Sequence, residues 1–247
     1  LGFNFMTAGS RGTAAGSMAA VKCARDAITR MIDVAAKKWN VKPEEVVWED
    51  GHARPAGANV GEFKPMSVAD IAREAAWYGG TIAGHAEINV TGQGPGFGTH
   101  ICDVEVDKAT GAVKVLRYTI VQDAGKAVYP AFVRGQWHGA AAQGIGMALN
   151  EEYIYSDKGR LLNPGFLDYR VPVASDLPPL SAEIVEVPNP LHPYGVRGVG
   201  EVPIIPPIAA IANAIYNATG VRMREQPMSP PRVLKALQDS APKLAAE

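Results

Sequence analysis

Residues on both sides of Lys108–Gly111 alternate between apolar and polar side chains, and this alternation constrains the fold more than any other feature. It runs through residues 99–125, which read THICDVEVDKATGAVKVLRYTIVQDAG. Successive side chains of a strand point to opposite faces of a sheet, so the pattern predicts a β-hairpin with one buried face. Further elements have to cover that face.

Apolar residues recur at helical spacing in five other segments. The predicted helices lie within residues 9–40, 66–80, 130–150, 204–220 and 229–238. Ser10 or Thr13 is the candidate N-cap of the first helix and Ser67 that of the second, whereas Gly220 ends the fourth. The third is rich in small residues and is expected to run into a strand.

Two more strand segments, within residues 42–55 and at 181–187, complete the pattern. Helices and strands interleave without a regular β-α-β alternation, and no internal repeat is present. This order predicts an α+β fold with mixed or antiparallel sheets.

Composition excludes several functional classes. The 247 residues are 47% apolar, which is enough for the core of one large domain or two small lobes. A formal net charge of −1 argues against a nucleic-acid partner, and we find no uninterrupted apolar run long enough for membrane insertion. The two cysteines do not have the spacing of a metal site. They indicate either two small buried residues in a reducing compartment or nothing diagnostic. The compartment that we expect is the cytoplasm. The first residues resemble neither a start site nor a signal peptide, so we expect a processed or truncated chain, or one piece of a split subunit.

Three stretches place glycine and other small residues at or near a predicted helix start. They read TAGSRGTAAG, GQWHGAAAQGIG and RGVGEVPIIPP, at residues 7–16, 135–146 and 197–207. Free N–H groups at such a start attract anions, and small residues let a flat cofactor approach closely. None has the phosphate-loop or dinucleotide-loop spacing. Close helix packing is the alternative for each.

Two polar side chains stand out within these stretches. Glu201 lies among glycine, valine and proline, where a carboxylate in a dry pocket could act as a general base; a surface turn is the alternative. Gln143 is an amide in a small, apolar helix, and a buried amide requires hydrogen-bond partners from the backbone or from a ligand. Outside these stretches, the context of Asp123 predicts a side chain that caps a turn. His192 is predicted to lie in a turn, and the alternative is that it lines a substrate funnel.

From about Gly9 to about Leu237 the sequence resembles the molybdenum hydroxylases, the family of xanthine dehydrogenase, aldehyde oxidoreductase and aerobic carbon monoxide dehydrogenase. The segments that carry the resemblance are residues 104–130, 135–178 and 188–237, in this order. It implies that residues 1–247 are the C-terminal portion of a molybdopterin-binding domain built of mixed α/β lobes, with two lobes as an open alternative.

The resemblance also implies the cofactor and its contacts. Molybdenum would be held by the pterin dithiolene, in the cytosine dinucleotide form usual in bacteria, and not by protein side chains. Glu201 matches the catalytic base of the family's Gly-x-Gly-Glu motif. The implied cofactor contacts are Gln143, Gly144 and Gly146 for the pterin, Gly9, Ser10, Arg11, Gly12 and Thr13 for the phosphates, and Gly198 and Gly200 beside the base.

The implied activity is oxidation of an aldehyde or an aromatic N-heterocycle, with water as the oxygen source. Partners would be the remainder of the large subunit, a [2Fe–2S] subunit and, as an open question, an FAD subunit, because the upstream lobes of the family are absent here. Two alternatives remain: an aromatic thioester dehydroxylating reductase of the same family, and a non-catalytic module for cofactor binding or assembly.

Overall fold

The computed structural model describes residues 6–89 and 94–240 and divides the chain into two compact units. One is Gly12–Thr91, and the other combines Leu1–Arg11 with Gly92–Glu247. Both contain helices and small sheets, so the predicted α+β class is confirmed.

The unit Gly12–Thr91 packs two helices and a small antiparallel sheet around one core. The helices are α1 (Gly12–Trp39) and α2 (Val68–Ala75), and the strands, in sheet order, are β1 (Val46–Glu49), β2 (His52–Pro55) and β3 (Met66–Ser67). Short 3-10 turns lie at Pro43–Glu45 and Gly57–Asn59. Ser67 caps α2 as predicted, since its hydroxyl accepts the Asp70 N–H. α1 begins at Gly12, so the caps predicted for it, Ser10 and Thr13, were wrong by one or two positions.

The second unit is built on the predicted hairpin. Its sheet has the order β4 (Gly98–Val106), β5 (Val113–Asp123) and β6 (Leu180–Val185), with β4 and β5 antiparallel and β5 and β6 parallel. The turn closes where Gly111, at φ +75°, donates its N–H to the Asp107 carbonyl over 2.7 Å. Glycine adopts this backbone conformation without steric cost.

Three helices bury the apolar face of this sheet. They are α3 (Pro130–Leu149), α4 (Pro206–Thr219) and α5 (Pro230–Ser240), with 3-10 turns at Ala174–Asp176 and Val202–Ile204. Tyr118 and Ile120 of β5 pack in one core with Trp137 of α3 and Ile211 of α4. Gly220 ends α4 in the left-handed conformation, as predicted.

The strand expected after α3 does not form within residues 151–179. Asn163, which is buried, occupies the backbone groups that a strand partner would use. Its amide donates to the Glu152 carbonyl over 2.6 Å and accepts the Ile154 N–H over 2.9 Å. The segment is therefore an irregular arm whose shape depends on a side chain.

One stretch differs from the expectation of no membrane-length apolar run. In the described residues, Val202–Thr219 is long and apolar enough to cross a membrane by length and composition alone. It contains α4, whose Ile211 and Ile215 are buried in the core. The absence of membrane insertion stays a prediction.

Candidate functional site

A direct contact joins the first and third glycine-bearing stretches. The Ser10 hydroxyl donates to Glu201 Oε2 over 3.0 Å and accepts the Glu201 backbone N–H over 3.0 Å. Both residues belong to the same unit, although 191 positions separate them in sequence. One hydroxyl thus holds Glu201 at both its main chain and its carboxylate.

The local backbone explains how Ser10 reaches this position. Gly9 and Ser10 are both left-handed, with φ of +65° and +56°. This conformation is costly for serine and is retained only where surrounding contacts enforce it. A Cβ on Gly198 would lie 2.8 Å from Ser10 Cβ, and one on Gly200 would lie 3.2 Å from Ser10 Oγ. These glycines, predicted as cofactor contacts, make room for Ser10.

The second glycine-bearing stretch runs beside the third. A Cβ on Gly200 would lie 3.5 Å from Gln136 Nε2, and one on Gly144 would lie 2.5 Å from Pro207 Cγ. This stretch occupies the interior of α3, so its prediction at a helix start was wrong. The three stretches nevertheless meet, because α3 lies against residues 200–207.

Gly144 and Gly146 have a packing role that needs no ligand. Both are buried, and a Cβ on Gly146 would lie 2.3 Å from Glu151 Oε1 and 2.6 Å from Pro172 Cδ. Protein atoms therefore fill the space beside each glycine, with Pro207 next to Gly144 and with Glu151 and Pro172 next to Gly146. Close helix packing alone accounts for both glycines, and the pterin contact predicted for them stays a prediction.

The Gln143 side chain lies in an exposed environment, whereas the sequence predicted a buried one. It is exposed on α3 and lines a groove of about 360 Å³ with Gly139, Ala142, Glu151, Val171 and Pro172. Gly139 and Gly135, one and two turns earlier on this face, have nothing within 4 Å of an added Cβ. Small side chains and one amide therefore face open space.

A hydrogen bond organises the far wall of this groove. The Tyr169 hydroxyl donates to Glu151 Oε2 over 2.8 Å. This bond to a carboxylate raises the pKa of Tyr169 to about 12, so the phenol stays protonated at neutral pH. Glu151 therefore lines the groove with one carboxylate oxygen fixed by Tyr169.

Glu201 itself is exposed among the described residues, so the dry pocket expected for it is not supplied by them. Its N–H and Oε2 are occupied by Ser10, and Oε1 has no hydrogen-bond partner in this part of the chain. A carboxylate held at one oxygen and open at the other can accept a proton from a group placed before it.

Arg197 is a site residue that the sequence analysis missed. Its Nε lies 2.7 Å from Asp123 Oδ2, and both side chains are more than nine-tenths buried. Asp123 Oδ1 also accepts the N–H groups of Gly125 and Val187, so the predicted turn-capping role of Asp123 is confirmed. This ion pair attaches the loop that leads into Glu201 to the end of β5. Local sequence patterns do not reveal this ion pair, because its partners are 74 positions apart.

Asp123→Asn is expected to lower the free energy of unfolding by about 3 kcal/mol or more, because it leaves the Arg197 charge buried without a counter-charge. Urea denaturation of the purified complex measures the loss as a lower midpoint. Asp103→Asn is the matched control, since its partner Arg117 is 70% exposed and the expected cost is about 1 kcal/mol or less. Equal losses in the two variants would contradict a buried pair.

Two groups of candidates remain, namely His192 and the predicted phosphate contacts. His192 is buried in a turn, where its Nδ1 accepts the Tyr194 N–H over 3.2 Å, which supports the turn interpretation. Gly12 and Thr13 form the first turn of α1 in the other unit, and the phosphate-binding role predicted for them and for Arg11 stays a prediction. In residues 6–89 and 94–240, no group of three or more His, Cys, Asp or Glu side chains could hold a metal ion.

Both cysteines are free and half-buried, so they are less buried than the small core residues that the sequence suggested. Burial still raises the pKa of Cys102 to about 12 and keeps its thiol protonated. On the same sheet, burial lowers the pKa of His100, whose Nδ1 lies 2.8 Å from the Tyr118 hydroxyl. These groups contribute to packing rather than to the Glu201 cluster.

Comparison with known proteins supplies a family. The family model of the molybdopterin cofactor-binding domain matches residues 1–178. The xanthine dehydrogenase molybdenum-binding subunit of Escherichia coli O157:H7 is 40% identical over 68% of this chain and 23% of its own length. The nicotine 6-hydroxylase large subunit of Paenarthrobacter nicotinovorans is 34% identical over 84% of this chain and 26% of its own.

A solved structure agrees with these relatives. The crystal structure of quinoline 2-oxidoreductase from Pseudomonas putida 86 matches with a TM-score of 0.77 and 29% identity, over 94% of this chain and 31% of that one. The chain therefore spans about a quarter to a third of the length of the proteins it matches.

Proposed function

The chain belongs to the molybdopterin cofactor-binding domain family, and we propose that it is the part of a molybdenum hydroxylase that carries the catalytic base. The observation that carries this proposal is the cluster of Ser10, Glu201 and the open face of α3. It brings a fixed carboxylate next to a surface shaped for close approach.

The residues present fit a pterin cofactor. The exposed Gln143 amide has no hydrogen-bond partner among the described residues, and a pterin offers many donors and acceptors. Gly135 and Gly139 leave room for a flat ring system on the same helix face. The phosphate contacts predicted at residues 9–13 remain part of the proposal, except that the Ser10 hydroxyl is already bound to Glu201.

Each residue of the cluster has one task in the proposed reaction. The molybdenum cofactor, when bound, supplies the two-electron redox chemistry. Glu201 accepts, through Oε1, the proton of the water-derived oxygen that attacks the substrate carbon. Gln143 orients the pterin by hydrogen bonds. The Asp123–Arg197 pair holds the loop so that Glu201 stays in register with α3.

The proposed substrate is an aromatic N-heterocycle or an aldehyde. The names of the relatives support the first class, because xanthine, nicotine and quinoline are all N-heterocycles. The exposed Glu201 carboxylate suits a substrate pocket completed by other lobes. The proposed partners are those lobes, a [2Fe–2S] subunit and an FAD subunit. The proposed form of the molybdopterin is the cytosine dinucleotide. A cytoplasmic location fits two free cysteines.

Metal and pterin analysis of the purified complex tests this proposal. We expect about one molybdenum and one pterin per copy of this chain in a complex that oxidises a substrate of the proposed class. A stable, complete complex that contains neither would favour the non-catalytic assembly module instead.

Gln143→Ala is expected to lower the molybdenum and pterin content of the purified complex severalfold, because hydrogen-bonding groups of the ligand lose their partner. Gln238→Ala, which removes an exposed amide from α5, is the matched control and should leave both contents unchanged. Equal contents in wild type and Gln143→Ala would remove Gln143 from the site.

A further inference from the structure

We infer that Ser10 is the positioning residue of Glu201, rather than a ligand of the cofactor phosphates. This inference deepens the proposed function and rests on Glu201 being the base. It assigns to the Ser10 hydroxyl the task of fixing the side-chain direction of that carboxylate.

The hydrogen-bond pattern carries the first step. A serine hydroxyl has one proton to donate, and Ser10 gives it to Glu201 Oε2 while accepting the Glu201 N–H. The two bonds close a small ring that includes the Glu201 side chain. Rotation of this exposed side chain would break one of them, so the carboxylate keeps one orientation and Oε1 stays on the open side.

The surrounding backbone carries the second step. Ser10 adopts a left-handed conformation that is unfavourable for a residue with a side chain, and Gly198 and Gly200 present no Cβ where Ser10 lies. Three independent features of the chain therefore accommodate this one contact. A serine whose hydroxyl had no fixed partner would not require glycine at both positions.

The contact itself can be tested without activity. In Ser10→Gly, the backbone keeps its left-handed conformation at no steric cost, but the hydroxyl is gone. Hydrogen–deuterium exchange of the Glu201 amide in the purified complex should rise at least about tenfold, because that amide loses its acceptor. Ser181→Ala, which removes an exposed hydroxyl from β6, is the control and should not change this exchange.

The positioning role is tested by kinetics. Loss of one hydrogen bond to a charged group predicts that kcat falls about tenfold in Ser10→Gly, with KM within about twofold of wild type and molybdenum content unchanged. Gly198→Ala should act in the same direction, because its methyl group displaces Ser10 while leaving the hydroxyl present. The double variant Ser10→Gly/Glu201→Gln should be no slower than Glu201→Gln alone.

Each contrary result is distinct. Unchanged exchange at Glu201 would overturn the contact, and raised exchange with wild-type kcat would overturn the positioning role. A loss of molybdenum in Ser10→Gly would return Ser10 to the cofactor. An active Glu201→Gln variant would instead contradict the proposed function, whatever Ser10 does.

Discussion

Turnover of the Glu201→Gln complex is expected to be at least about a hundredfold below wild type, with molybdenum and pterin still bound. Glutamine keeps the size and shape of the side chain and can still interact with the Ser10 hydroxyl, but it cannot accept a proton. A positioned general base contributes about a hundredfold to ten-thousandfold in rate. The loss appears in kcat because the base acts in the transition state.

Two measurements place the loss at the proposed step. Reduction of the loaded complex by substrate, followed in a single turnover, should slow by the same factor as kcat. An artificial electron donor that bypasses the substrate should still reduce the complex at the wild-type rate. Glu183→Gln, which alters an exposed carboxylate of β6 in the same unit, is the control and should keep full activity.

If substrate reduces the Glu201→Gln complex at the wild-type rate, Glu201 is a surface-turn residue and not the base. Its bonds to Ser10 would then be a structural contact between two loops at the surface. Loss of molybdenum in this variant, with no change in the rate per bound metal, would assign Glu201 to cofactor retention instead of proton transfer.

Local sequence patterns predicted most of the secondary structure because their causes are local. The alternation around Lys108–Gly111 produced the β4–β5 hairpin, and the Ser67 cap and the Gly220 terminus lie where they were expected. The strand predicted after α3 failed because Asn163, several residues further on, captures the backbone of that segment. A short apolar run does not reveal such a competitor.

The site was predicted only in part because its contacts are long-range. Glycine-rich composition identified the three stretches, but only the fold shows that they meet and which side chains pair. Arg197 and Asp123 pair across 74 positions, and Ser10 and Glu201 across 191. Gly144 and Gly146 suit close helix packing and close ligand approach alike, because both require the absence of a side chain.

The double variant Phe166→Asp/Leu167→Asp is expected to lose assembly with the rest of the molybdopterin-binding region. These neighbouring side chains are 99% and 95% exposed on the arm that follows α3. Burial of one such side chain contributes about 1.5–3 kcal/mol, so two buried anchors predict an affinity loss of at least about a hundredfold. The chain spans only a quarter to a third of its relatives, which favours their remaining lobes as the occupant.

The arm is held in shape before any partner arrives, which strengthens this prediction. Asn163 fixes its base, and Tyr169 is tied to Glu151. A preorganised anchor loses little conformational entropy on binding. The test co-expresses the tagged chain with the remaining lobes and measures how much of them it retains.

Gln238→Asp/Ser181→Asp is the control, because it adds the same charge at exposed polar positions of the same unit. Wild type alone should aggregate. The Phe166→Asp/Leu167→Asp chain alone should show the circular dichroism of a folded chain and remain in solution longer, since a highly exposed apolar pair is gone. Full retention of the lobes by that variant would mean that Phe166 and Leu167 face solvent in the complex. A monodisperse wild-type monomer would contradict the need for a covering partner altogether.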